Sequence, residues 1–263
     1  MKVTVLGKSP AWQDAGGACS GYLVEEGDLR VLIDCGNGVF GKLREHLDYL
    51  DVDAVVISHM HADHTLDLVP YAYALTYSPR QQPVPVGGYA GREVPVRPEL
   101  QLPPGGATQL RSICTSWQAP ELVDHAFRVG EYAPGTPLAI GELTFTFGLV
   151  PHYIPTYAIR VSAADGRNFT YGADCCPNDE LVVFAADTDL LLIEATLPRP
   201  ERSGLRGHLT GAEAGEHARR AGAKRVVLTH IPDEIDQAAS LADAEEAFGR
   251  PAEIAREGLV IEL

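Results

Sequence analysis

The sequence predicts an α/β protein in which two β-sheets pack face to face with helices on their outer faces. Three observations predict this. Runs rich in β-branched and aromatic residues, bounded by Gly, Asp or Pro, read as strands in both halves of the chain, mostly in pairs. Helical periodicity falls between and after those pairs, which fits a two-sheet sandwich better than one doubly wound sheet. The 263 residues, 45% of them hydrophobic, can bury a sizeable core. No internal repeat and no linker rich in Gly, Ser or charge divides them, so a single domain over residues 1–263 is expected.

In chain order, strands are expected over residues 3–6, 21–25 and 30–34, a helix over 39–49, a strand over 54–58 and a helix over 66–75. Between Pro79 and Pro137 the chain is rich in proline and shows no clear period, so it is expected to form loops over one face. Strands follow over 143–149, 157–161 and 168–171, a helix over 179–185 and a strand over 190–194. The helix over 210–222 opens on a capping box, Thr210 with Glu213, and stops at Gly222. A strand over 225–229, a helix over 241–248 and a strand over 258–263 complete the chain.

Charge excludes some functions. With 21 Lys+Arg against 36 Asp+Glu the net charge is −15, which repels long polyanions and argues against an extended nucleic-acid or anionic-membrane surface. A small anion held at a local positive site, such as a metal, remains compatible. The opening residues meet Pro10 too soon for a signal peptide, and no apolar run approaches the ~20 residues of a transmembrane helix. The 5 cysteines, an odd number, do not form a disulfide framework. A cytoplasmic protein is expected.

The chemistry concentrates in Val55-Val56-Ile57-Ser58-His59-Met60-His61-Ala62-Asp63-His64. An apolar strand ends and delivers three histidines and an aspartate. His59 and His61 stand two apart, so in an extended stretch they project to the same side. Asp63 and His64 follow as the chain turns into the next helix. Imidazole with carboxylate suits zinc, manganese or iron, and four such groups exceed what one open site needs, so the spacing suggests two adjacent metals. A polar loop of hydrogen-bonded histidines is the bland alternative, and it explains one histidine better than this cluster. Further donors are expected after later apolar strands, at His152, Asp174 and His230.

With those residues the chain resembles the metallo-β-lactamase superfamily along nearly its whole length. The resemblance implies an αββα sandwich of two mixed β-sheets flanked by helices, and a metal-dependent hydrolase. It implies a supporting role for Asp34, a first metal on His59, His61 and His152, and a second on Asp63, His64 and His230, with Asp174 bridging them. The cofactors so implied are two divalent ions, zinc first, with manganese and iron as alternatives. Cys175 and Cys176 receive no role and read as buried thiols.

Three further segments, around Glu194, around His208 and around His230, resemble ribonuclease Z and its phosphodiesterase relatives. In that branch the equivalent of His208 faces the scissile phosphate and the equivalent of Glu194 orients it, while Asp63 would orient the attacking hydroxide. A histidine beside a carboxylate can give phosphate oxygen a proton or a charged hydrogen bond. Ribonuclease Z inserts an RNA-gripping arm between the equivalents of His152 and Asp174; here those residues are 22 positions apart, which leaves no room for it. The pattern is similar to short bacterial cyclic-nucleotide phosphodiesterases. The expected function is therefore two-metal hydrolysis of a small phosphodiester, a 3′,5′-cyclic nucleotide first, by a hydroxide bridging the metals. Ribonuclease Z-like RNA 3′-processing and carbonyl hydrolysis, by a lactonase, thioesterase or β-lactamase, are the alternatives. Relatives are often dimers, so a homodimer is among the expected assemblies.

Other signals read as structural. Gly36-x-Gly38-x-x-Gly41 follows a strand, as a dinucleotide fingerprint does, but the next strand ends in the histidine cluster, so the glycines read as a tight turn. Tyr71, Tyr73 and Tyr77 read as helix packing rather than a substrate mouth. His46, His125 and His217 read as solvated.

Overall fold

Two mixed seven-stranded sheets face each other in the computed structural model, which describes residues 1–201 and 203–263. The first sheet holds β1 (Lys2–Gly7), β2 (Gly21–Glu26), β3 (Leu29–Ile33), β4 (Ala54–Val56), β5 (Glu99–Leu102) and β6 (Arg128–Glu131), with the last strand of the chain, β14 (Val260–Glu262), beside β1. The second holds β7 (Leu138–Ile140), β8 (Leu143–Val150), β9 (Thr156–Ala163), β10 (Asn168–Tyr171), β11 (Leu190–Glu194), β12 (Arg225–Thr229) and β13 (Glu253–Ile254) in reverse spatial order. Each sheet is antiparallel through its hairpins and parallel beyond them: β3–β6 run parallel in one, β10–β13 in the other.

The inner parallel strands β3, β4, β10, β11 and β12 are largely buried on both faces, which is why they read as continuous apolar runs rather than alternating ones. In β3, Val31 and Ile33 point between the sheets while Leu32 points to the helices. In β11, Leu190 and Leu192 point between the sheets, Leu191 and Ile193 outward. Helices α1 (Val39–His46), α2 (Ala62–Thr65), α3 (Leu68–Tyr77), α4 (Gly106–Ser116) and α5 (Leu122–Ala126) lie on the first sheet's side. Helices α6 (Asp179–Phe184), α7 (Gly211–Ala221) and α8 (Gln237–Phe248) cover the second. The result is the expected αββα sandwich.

The largest departure lies between Pro79 and Pro137. That stretch supplies two strands and two helices, β5, α4, α5 and β6, and they extend the first sheet rather than looping over a face. Leu100, Leu102, Leu110 and Phe127 carry it into the core. The helix expected over 66–75 is α3, displaced by two residues at each end, and a separate short helix, α2, precedes it across the turn at Leu66 and Asp67. His217 is buried rather than solvated: its Nε2 accepts from the Asn178 backbone N–H at 3.0 Å and its Nδ1 donates to Glu213 O at 2.6 Å, pinning α7 to the start of α6. His46 and His125 are exposed as expected. All 5 cysteines are free, with Cys176 half-buried and the other four buried. Among the described residues, no helix is long and apolar enough to cross a membrane.

The capping box of α7 forms as expected, with Glu213 N–H donating to Thr210 Oγ1 at 3.3 Å and Thr210 N–H donating to the Glu213 carboxylate at 3.0 Å. Thr210→Ala should lower stability by about 1 kcal/mol, the usual worth of such a cap. Urea denaturation would read it as a lower midpoint with an unchanged slope; an unmoved midpoint would mean the box contributes nothing.

Candidate active site

Every parallel strand near the seam between the sheets ends at the same edge of the molecule, where strands of this kind present functional loops. β3 leads into Asp34, β4 runs on into Ser58-His59-Met60-His61, β10 is followed by Asp174, β11 ends at Glu194 and β12 leads into His230. The antiparallel β8 adds His152 two residues past its end. Asp34, Ala173 and His230 hold φ of 56°, 52° and 56°, a left-handed backbone that non-glycine residues adopt at a cost. Asp34 and His230 are themselves members of the site, and Ala173 directly precedes Asp174.

Seven side chains converge there, as the sequence suggested. His59 Nε2, His61 Nδ1 and His152 Nε2 form one group: His61 Nδ1 lies 3.1 Å from His59 Nε2 and 3.2 Å from His152 Nε2. Asp63, His64, Asp174 and His230 form the second. His64 Nε2 stands 3.5 Å from Asp63 Oδ2 and 3.4 Å from Asp174 Oδ2, and His230 Nε2 stands 3.3 Å and 3.5 Å from the same two oxygens. Asp174 Oδ2 belongs to both groups, with His59 at 3.9 Å and His152 at 3.8 Å.

Four of the imidazoles are held from behind. Ser58 Oγ meets His59 Nδ1 at 3.0 Å, the Asp34 carboxylate meets His64 Nδ1 at 2.7 Å, Gly207 O meets His152 Nδ1 at 2.8 Å and Thr196 Oγ1 meets His230 Nδ1 at 2.8 Å. Each partner can accept an Nδ1–H, which leaves Nε2 as the lone pair facing the centre, the arrangement that metal-binding histidines use. Asp34 also accepts from Ser58 N–H and Oγ–H, both at 2.8 Å, so one buried carboxylate organises the start of the motif. Thr196 and Gly207 were missed by sequence reading because their histidine partners lie 34 and 55 residues away, and Ser58, though it stands in the motif, received no role because its bond to Asp34 spans 24 residues.

The electrostatics suit a cation. Burial pushes His59, His61 and His152 below the usual histidine range, keeping them neutral. Burial would raise Asp63 and Asp174, yet the surrounding imidazoles hold both below the usual carboxylate range. Burial also opposes a charge on His64, but without a metal Asp174 and Asp34 outweigh it and raise its pKa, so positive charge is favoured at its Nε2, from a proton or from a cation taking the proton's place. Two buried atoms facing the centre, Asp174 Oδ1 and His64 Nε2, have no hydrogen-bond partner among the described residues. Orphaned polar atoms of this kind cost free energy unless something else satisfies them. The donor chemistry, the shared carboxylate and these orphans fit two divalent ions.

Beside the second group, the buried Glu194 carboxylate meets His208 Nδ1 at 3.0 Å. Glu194 also accepts from Cys175 N–H at 2.8 Å, Leu209 N–H at 3.1 Å and Thr196 Oγ–H at 2.7 Å, which fixes its position. Burial disfavours the charged His208 ring, but the charge and hydrogen bond of Glu194 prevail and raise its pKa to about 9. The His208 ring lies 5.5 Å from that of His230 and 5.1 Å from that of His152, on the wall of a cavity of about 690 Å³ that His61 and Asp174 also line.

Gly36 resolves the apparent dinucleotide fingerprint. A Cβ there would fall 1.9 Å from Asp63 O, so only glycine lets the turn after β3 lie against the histidine motif. Tyr71 is core, its hydroxyl donating to Tyr49 O at 2.7 Å, while Tyr73 and Tyr77 stack on the helix surface away from the cavity. Sequence reading also passed over Trp12 and Tyr153, which line the cavity.

Residues 29–231 match the family described as "Beta-lactamase superfamily domain". The "Probable metallo-hydrolase YhfI" of Bacillus subtilis is 33% identical over 263 residues, covering 100% of both chains. Its crystal structure superposes with a TM-score of 0.83 at 28% identity, over 99% of this chain and 98% of that one. A "Ribonuclease Z" of Myxococcus xanthus is 27% identical, covering 100% of this chain and 98% of its own. Yeast PDE1 shares the fold, with a TM-score of 0.75 at 13% identity over 100% and 99% of the two chains.

Asp174→Ala should drop bound metal below one ion per chain and abolish hydrolysis, because both groups lose a shared donor. Elemental analysis of the purified variant reads this; two retained ions with the wild-type rate would show that Asp174 is misplaced. Asp34→Ala should weaken metal binding ~10–100-fold, as loss of an outer-shell partner does. A competition titration against a chelator would measure it, and unchanged affinity would remove Asp34 from its supporting role.

Proposed function

We propose that this chain, which belongs to the beta-lactamase superfamily, is a metal-dependent phosphodiesterase acting on a small phosphodiester, first among them a 3′,5′-cyclic nucleotide. The observation that carries the reading is the His208–Glu194 pair, a protonated imidazole fixed on the cavity wall beside the two donor groups.

His59, His61 and His152 would hold one divalent ion, Asp63, His64 and His230 the other, and Asp174 would serve both. When bound, such ions activate water and neutralise charge that builds on phosphoryl oxygens. Zinc is the first expectation for this mixed donor set, and manganese or iron also suit it. Asp63, kept ionised by His230 and His64, can orient the attacking water through its carboxylate. His208 can donate its Nε2 proton to the departing alkoxide, while Glu194 holds the ring and compensates its charge. Because Glu194 is itself fixed by three other donors, the pair needs little reorganisation as the bond breaks.

The substrate is small because the chain offers no arm. Between His152 and Asp174 the residues are taken up by β9, β10 and a tight turn closed by Ala163 N–H donating to Arg167 O at 2.8 Å. The cavity of about 690 Å³ is of the size that takes small molecules.

His208→Ala should leave both ions bound and lower turnover of cyclic AMP by ~10²–10⁴. The loss should be far smaller on bis-p-nitrophenyl phosphate, whose leaving group scarcely needs a proton. Equal losses would exclude proton donation, and no loss would remove His208 from the reaction. Turnover of nitrocefin or a homoserine lactone, with none of either phosphodiester, would overturn the reading.

The pair also sets a pH dependence. In metal-free protein His208 should titrate at about 9, and Glu194→Gln should bring it down toward the ordinary ~6.5. The folded pKa is raised, so the stability the pair contributes is full below pH ~6.5 and is lost as pH rises through about 9. NMR titration of the ring would show both values; a wild-type ring titrating near 6.5 would contradict the pairing.

A further inference from the structure

Beyond the histidines and aspartates the cavity lining is mostly apolar, with Glu234 its one further acid among the described residues, and it comes from three loops. Trp12 follows β1, Leu197 and Pro198 follow β11, and Pro232 and Ile235 follow β12. Trp12 is 53% exposed, and Tyr153, beside His152, is 48% exposed. A large ring left half in water on the wall of a concavity contributes little to folding and is positioned for a ligand.

The loop that carries Trp12 is fixed. The nearly buried Lys8 is ion-paired with Asp14 and donates from Nζ to Ile231 O at 2.8 Å. Asp14 in turn accepts from Asp233 N–H at 3.1 Å, and Asp14 N–H donates to Ser9 Oγ at 3.0 Å. Asn37 Nδ2 donates to Gln13 Oε1 at 2.7 Å. Lys8 and Asp14 thus tie the loop after β1 to the loop after β12, so Trp12 and Pro232 form one wall. None of these groups reaches toward the histidines. Their evident effect is to hold an indole and a proline face in place before any ligand arrives, which lowers the ordering cost of binding.

We propose that Trp12 and this wall form a subsite that stacks the nucleobase of the substrate, making Trp12 the residue that selects base-bearing over base-free phosphodiesters. The proposal rests on the phosphodiesterase reading for the other half of the substrate. An indole face and rigid proline surfaces match a flat heterocycle, and stacking accepts any base because every base has a π-face. The phosphodiester would lie toward the donor groups and the base toward Trp12.

Two measurements test it together. Trp12→Ala should raise KM for cyclic AMP ~5- to 100-fold with kcat within about twofold, the pattern of lost binding that is uniform between ground and transition states. The cyclic phosphodiester of 1,3-propanediol, which has the same phosphate ring and no base, should be unaffected, and Trp12→Phe should keep most of the wild-type KM. Equal effects on both substrates, or none, overturn the subsite while leaving the phosphodiesterase reading intact. The second measurement needs no turnover. The only other tryptophan is Trp117, which caps α4 and does not line the cavity. In Trp117→Phe protein, without added metal, adenosine 5′-monophosphate should quench the remaining emission saturably. Absence of quenching at millimolar nucleotide overturns the subsite, whereas quenching in a protein that hydrolyses neither diester supports it and sinks the phosphodiesterase reading alone.

Discussion

Burying two carboxylates among imidazoles at the seam of two apolar sheets is the constraint from which the remaining features of the site follow. Asp174 and His64 are almost wholly out of water, each with an atom that finds no hydrogen-bond partner among the described residues. Charge in such a place is tolerated only when paired or bound to a cation. Asp34 and Ser58 fix the first-sheet side of the cluster, and Gly207 and Thr196 fix the second-sheet side. The left-handed turns at Asp34, Ala173 and His230 and the bare Cα of Gly36 are backbone concessions to the same requirement. Stability elsewhere, in the apolar layers above and below each sheet, holds these strained turns in place.

The same logic separates the chemistry of neighbouring histidines. His59 is wholly buried with Asp174 no nearer than 3.9 Å, and burial drives it toward neutrality; His208, on the cavity wall, has Glu194 at 3.0 Å, which keeps a proton on it. A carboxylate in direct hydrogen bond turns one ring from a candidate electron-pair donor into a candidate acid. On the proposed phosphodiesterase reading, that division of labour would supply the proton that a poor leaving group needs.

The candidate donors were legible because their signal is local and follows apolar strands: H-x-H-x-D-H after β4, and single residues after β8, β10 and β12. The paired sheets were legible from the composition of those strands. What escaped was set by distant partners. β5 has only four residues between prolines, and α4 starts on Gly105 without a side-chain cap, so neither announces itself. His217 faces the core because α6 supplies a backbone N–H, a fact absent from its own helix. Thr196 and Ser58 become important only once the fold brings His230 and Asp34 beside them. Trp12 sits in a loop with no period at all.

The donor groups are divided between the two sheets: His59 to His64 come from the first, and His152, Asp174 and His230 from the second. Neither half of the chain can therefore assemble either group alone. During synthesis the first group is incomplete until Asp174 has followed β10, and the second until His230 has followed β12, so the pair of ions could be held only once both layers have docked. Once captured, each would act as a clasp across the seam, adding its binding free energy to the cohesion of the two layers. Withdrawal of metal would then loosen the molecule along that seam first, making ion supply a determinant of how long the protein survives in a proteolytic environment as well as of how fast it works.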